Sequence, residues 1–368
     1  MYKIAVLVFS LFLVVAILTP AAARPTMAQE GATTWTCPEG YAGQTLSVYG
    51  WTTYIGENTI PDFEILCDVD VLYDVTDGNE STLTRLREGN PGWDIIIITD
   101  YIVQTMVEQE LLVPINYDLI PNWANIGDTF KGRSYDPENT YTVPYQWGTT
   151  GVGYNVEAVG GEITSWEQVW EHDGPVSWPE DPRYMIGIGL QMLGYDPNTK
   201  DEDEILEATD YLVEKGSNVV AITPDDGQVL LAGGNVDIAL EYSGDILQII
   251  QECECDDFGY ALPEEGANIF IDNLAIPTDA PNPELAHVFI DYILDPQVGA
   301  DISNEIGYGT PNQAALDAGL IFEEYLTNGI TYPDEETMAR LWTVDANTDI
   351  EEVYIDAWDQ ITIFVGVE

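Results

Sequence analysis

Apolar positions along the chain follow two alternating patterns: short β-branched runs, and longer stretches in which apolar residues return every three or four positions. Residues 93–99 (WDIIIIT) have almost no polar face, which predicts a strand buried on both sides of a parallel sheet. Residues 46–50, 69–75, 176–181 and 236–240 read as further strands. Helical spacing with caps predicts helices over 60–66, 79–89, 165–171, 183–193, 201–215 and 284–294. Strands alternating with helices mean α/β layers. One stretch stands apart from both patterns. Residues 142–155 (TVPYQWGTTGVGYN) are β-prone, nearly uncharged and carry three glycines, so they can leave one core and enter another while extended. Residues 269–277 (IFIDNLAIP) have the same character and would bring the chain back. A chain of 368 residues is too long for one ordinary core. The expected architecture is therefore two lobes, each a sheet flanked by helices, joined by two crossings with a cleft between them.

Composition narrows the chemistry. A formal net charge of −55 comes from 65 Asp plus Glu against 10 Lys plus Arg, which argues against a nucleic-acid partner. Hydrophobic content of 45%, with 10 Trp and 21 Tyr, makes this a folded protein with an acidic skin rather than a disordered acid tail. A cationic ligand or a saline habitat fits that skin. The N-terminus reads as an export signal over residues 1–28: Lys3, an apolar run over 4–18, and small residues for cleavage near Ala23 or Ala28. The apolar run is short for a bilayer span, so a soluble periplasmic or secreted product is expected. Export permits disulfides, and Cys37, before the first strand, is the candidate partner of Cys67, which we place at the start of the second. Cys253 and Cys255 read equally as a labile disulfide or as two thiols. His172 and His287 read as ordinary helix residues, and no metal site or cofactor is expected. Gly187, Gly189 and Gly194 miss the dinucleotide fingerprint, and the acidic loop over 196–203 reads as a helix cap rather than a calcium loop.

Ligands of such sheets sit beyond the carboxyl ends of the strands, which selects Trp51, Thr52, Thr53 and Tyr54 after the first strand and Thr99, Asp100 and Tyr101 after the third. The other strand ends and crossings contribute Asp181, Tyr242, Asp245, Phe270, Asp272 and Tyr308. Aromatic faces beside a desolvated cation are worth about 0.5–2 kcal/mol each. Carboxylates meeting an ammonium make charge-assisted hydrogen bonds worth about 1.5–3 kcal/mol. An aliphatic amine needs both kinds of group.

The ordered motifs GWTTYI, GWDIIIITDYIV, YTVPYQWGTTGVGYN, IFIDNLAIP, IGYGTPN and TYPDEETM resemble those of the periplasmic spermidine/putrescine-binding proteins of ABC importers, over about residues 46–345. That resemblance implies a type II periplasmic-binding-protein fold with one lobe from 44–147 plus 272–316 and the other from 148–271 plus 317–368. It implies a monomeric, non-enzymatic binder of a polyamine that docks on an ABC permease. By the same resemblance Asp272 is the central amine-binding acid, Asp181 holds an amine, Asp245 marks putrescine selectivity, and Tyr242 and Phe270 stand in for stacking tryptophans. Tyr184 falls where the family has a second carboxylate, with Glu180 as a substitute, and Thr343 falls near a family glutamine. The alternatives are another cargo, such as ferric iron, thiamine or a different amine, and an exported glycosidase using paired carboxylates.

Overall fold

The structure, a computed structural model, describes residues 33–253, 255–346 and 350–366; the export signal read from the sequence lies outside them. Nine strands form one curled sheet: β1 (Thr45–Gly50), β2 (Asp70–Val75), β3 (Ile95–Thr99), β4 (Thr142–Asn155), β5 (Val176–Pro179), β6 (Val219–Thr223), β7 (Ile238–Tyr242), β8 (Phe258–Ala261) and β9 (Asn268–Ala275). Their order is β2-β1-β3-β9-β4-β7-β5-β6, with β8 also paired to β4. Both flanks are parallel, β1 with β2 and β3 on one side, β5 with β6 and β7 on the other. In the middle β9 runs antiparallel to β3 and β4, and β4 runs antiparallel to β7.

β4 occupies the stretch singled out in the sequence and serves two cores. Its start gives Val143 and Tyr145 to a core shared with Val48 of β1, Ile95 and Ile97 of β3, Leu274 of β9, Phe63, and Phe289 and Tyr292 of helix Pro283–Ile293. Its end gives Val152 and Tyr154 to a second core built from Trp166, Trp178, Ile186, Leu212 and Trp358. The C-terminal helix Glu351–Val365 closes that second core with Tyr354, Ala357, Trp358 and Ile361. Because the two crossing strands also pair with each other, the two expected sheets merge into one.

The glycines of β4 do more than permit extension. A Cβ at Gly148 would lie 2.9 Å from the Tyr308 ring and 3.0 Å from that of Phe270. The glycine lets two aromatic side chains close over the backbone. Gly244, at the start of helix Ser243–Cys253, does the same for Tyr308.

Several local expectations are corrected. His172 lies beyond helix Trp166–Trp170, not within it, and pairs with Asp237 at 3.0 Å. Cys67 closes helix Thr59–Cys67 instead of opening β2. It bonds to Cys37 as expected, and Cys253 bonds to Cys255. The Cys37–Cys67 bond spans 30 residues of sequence, for which loop-closure entropy gives about 3–4 kcal/mol. Replacing both cysteines by alanine should lower unfolding stability by that order in a denaturant titration; unchanged stability would mean the loop is pinned by its packing alone.

Candidate functional site

Five strands end on one rim. Trp51 follows β1, Asp100 follows β3, Asp181 caps helix Pro182–Leu193 after β5, Asp225 follows β6, and Asp245 lies in the first turn of the helix after β7. β9 crosses the same region and places Asp272 opposite Thr99 of β3 and opposite Gln146 of β4. Between these elements is a cavity of about 730 Å³. Every residue selected from the sequence lines it except Thr53 and Tyr184. Tyr184 is fully buried in the second core, where its ring stacks on Trp342; only its backbone N–H reaches the site, donating to Asp181 Oδ1 at 2.9 Å. As the third residue of a helix capped by Asp181, its side chain points into the protein. Glu180 does line the cavity, as the proposed substitute.

Aromatic rings form one wall. Tyr54 meets Tyr308 edge-on at 4.8 Å, Phe270 lies 6.3 Å from Tyr308, and Tyr242 meets Phe270 edge-on at 5.6 Å. Tyr145 supports the wall from behind, its hydroxyl donating to the Tyr54 carbonyl at 2.6 Å.

Carboxylates form the rest. Eight of them line the cavity, and among the described lining residues there is no lysine, arginine or histidine. Asp272 Oδ2 accepts the Tyr54 hydroxyl at 2.6 Å, while its Oδ1 is buried without a hydrogen-bond partner. Asp245 accepts the Thr53 hydroxyl at 2.8 Å and the Tyr308 hydroxyl. Thr53 is held at φ 46°, a left-handed conformation that costs a β-branched residue about 1–3 kcal/mol. Its bond to Asp245 is what the strained turn delivers. Glu80 accepts the Tyr101 hydroxyl at 2.9 Å, and Asn79 bridges the Tyr101 and Thr99 hydroxyls.

Burial dominates the electrostatics. It pushes Asp272 and Asp245 up to about 6, with bonds from Tyr54 and Tyr308 pulling back. Asp100 is pushed up to about 8 by burial and by the neighbouring Asp272, although its Oδ2 accepts the Ile271 N–H. Glu80 rises to about 7 through burial and Asp181. Asp181 itself is raised by burial. The nearby Arg183 lies over Tyr354 at 4.3 Å and spends one N–H on the Asp345 carbonyl, so it offsets these charges from outside the cavity.

The family assignment follows from the comparisons. A family model described as bacterial extracellular solute-binding protein matches residues 66–325. The chain belongs to that family. It is 31% identical over 339 residues to the putrescine-binding periplasmic protein PotF of Escherichia coli K12, covering 86% of this chain and 91% of that one. It is 31% identical over 318 residues to the spermidine/putrescine-binding periplasmic protein of the same organism, covering 84% and 90%. Among solved structures it is similar to the spermidine/putrescine ABC transporter substrate-binding protein PotD of Streptococcus pneumoniae, with TM-score 0.73, 31% identity and coverage of 88% of this chain and 100% of that one. The fold is accordingly the type II periplasmic-binding-protein fold, and the described residues include no helix long and apolar enough to cross a membrane.

Sequence inspection missed Asn79, Glu80 and Asp225, all of which line the cavity. Asp225 had no signal, because β6 was not recognised as a strand.

Asp100 also gives a stability test. Its folded value is raised above the ordinary value of about 4, so the folded chain holds a proton that the unfolded chain releases. The stability contributed by that proton is complete below pH about 4 and is lost as pH rises through about 8. Asp100→Asn should therefore raise the melting temperature of the ligand-free protein at pH 8, with the gain shrinking towards pH 4; a gain independent of pH would refute this origin.

Proposed function

We propose that this protein captures an aliphatic polyamine of the putrescine or spermidine class in the interlobe cavity and delivers it to an ABC importer. What carries the proposal is the cavity's composition: eight carboxylates, no basic residue among the described lining side chains, and a wall of rings. An anion or a neutral sugar would face unbalanced negative charge there, whereas an ammonium relieves it. The relatives named for putrescine and spermidine support the same reading.

In this mechanism Asp272 is the central anchor. Its unpartnered Oδ1 takes one ammonium, Asp181 with Glu80 or Asp245 takes another, and the rings of Tyr54, Tyr242, Phe270 and Tyr308 pack the methylenes between. The lobes are residues 44–147 plus 272–316 and 148–271 plus 317–368, and they close about β4 and β9. Closure buries the ligand, and the ligand's preference for the closed form shifts the equilibrium. No bond is made or broken. The protein works as an exported monomer in the periplasm, its first 28 residues being the signal.

A thermal-shift panel of putrescine, spermidine, spermine, agmatine, thiamine, ferric citrate and glycans tests the cargo. A rise confined to amines is expected, and stabilisation only by a neutral or anionic solute would overturn the proposal. Asp272→Ala should weaken amine binding by about 2–4 kcal/mol in calorimetry, because an ammonium is left unpaired in a buried site. A loss below tenfold would remove Asp272 from its role. Wild-type affinity should hold above pH 7 and fall as pH drops through about 6, where Asp272 takes up a proton, with proton release on binding in that range. Affinity flat from pH 8 to 5 would contradict it.

A further inference from the structure

Behind the end of β7 three carboxylates converge. Asp225, Glu241 and Asp245 each offer one oxygen, and these oxygens lie within 4.8 Å of one another. All three side chains are buried, with exposures of 8%, 1% and 3%. They come from two stretches of backbone: the turn after β6, and the junction where β7 runs into helix Ser243–Cys253 and carries both Glu241 and Asp245.

The positions are built, not incidental. Glu241 Oε1 accepts the Tyr242 N–H at 3.0 Å, and the Glu241 carboxylate lies against Gly227, where any Cβ would strike it. Asp245 is fixed by Thr53 and Tyr308. Asp225 Oδ2 is buried and has no hydrogen-bond partner. Among the described residues no salt bridge reaches any of the three. Three buried acids at this range cannot all be ionised unless a cation joins them.

We propose that Asp225, Glu241 and Asp245 form a site for a hard divalent cation, calcium foremost. An all-oxygen, carboxylate-only donor set selects calcium over zinc or copper, which favour nitrogen and sulfur. Oxygens spread over 4.8 Å can be bridged by one ion with bonds of about 2.3–2.6 Å. Magnesium, at about 2.0–2.1 Å and reluctant to shed water, suits the cluster less. Asp225 and Asp245 also line the amine cavity and Glu241 stands behind them, so the site adjoins the proposed cargo site and a bound calcium would compete with an ammonium at Asp245.

The test uses the ligand-free mature protein, stripped with a chelator, loaded with calcium chloride, dialysed at high ionic strength and analysed for metal content. Wild type should retain one calcium per chain more than Glu241→Gln or Asp225→Asn, and only wild type should melt higher with calcium. The outer acids are common to all three proteins and cancel in the comparison. Equal retention by wild type and both variants means surface binding only and overturns the site. Wild type retaining no calcium overturns it whether or not either variant folds. Failure of the calcium site leaves the amine proposal to its own thermal-shift panel, because Asp272 and Asp181, which lie outside the cluster, anchor the amine.

Discussion

Negative charge buried against negative charge, with no basic residue among the described lining side chains to balance it, is the constraint on which this molecule is arranged. Two unit charges about 5 Å apart repel by about 3 kcal/mol at an effective dielectric of 20. Like-charge repulsion acts here between Glu80 and Asp181, between Asp100 and Asp272, and between Asp225 and Asp245. Tyrosine and threonine hydroxyls and backbone N–H groups soften the repulsion without cancelling it. The ligand-free protein therefore holds protons near neutrality, and any cation of the right shape is welcomed by a site already prepared for it.

The aromatic wall depends on the same economy of space. Tyr308 donates to Asp245 and stands edge-on to Tyr54, which in turn donates to Asp272. One ring pair thus orients two acids that belong to different elements. Gly148 in the crossing and Gly244 in the helix after β7 leave room for it, which is why glycines lie beneath these rings.

Much of this was legible in the sequence, for reasons that can be named. The unbroken apolar run of β3 and the uncharged, glycine-bearing β4 have strong patterns, and their bounds were recovered within two residues. The turns after β1, β3 and β7 carry aromatic and polar residues together, and those turns do face one cavity. β6 was not legible: it is a short edge strand with a half-exposed pattern, and Asp225 went unnoticed with it. Tyr184 misled because matching positions along a helix says nothing about which face the new side chain takes; a tyrosine in place of an acid turned inward to stack on Trp342.

The first hydrophobic core draws on residues from Trp35 to Tyr145 and then again from Phe270 to Tyr308. Chain synthesis runs from the N-terminus, so the early part of that core must wait for its later half to be made. At about 5–20 residues per second the interval is on the order of 10 seconds. During it β3, the most apolar strand of the sheet, has no β9 to cover its edge. A nascent chain of this topology thus leaves a sticky edge unpaired for a definite period, an exposure set by the order of its segments rather than by the stability of the finished protein.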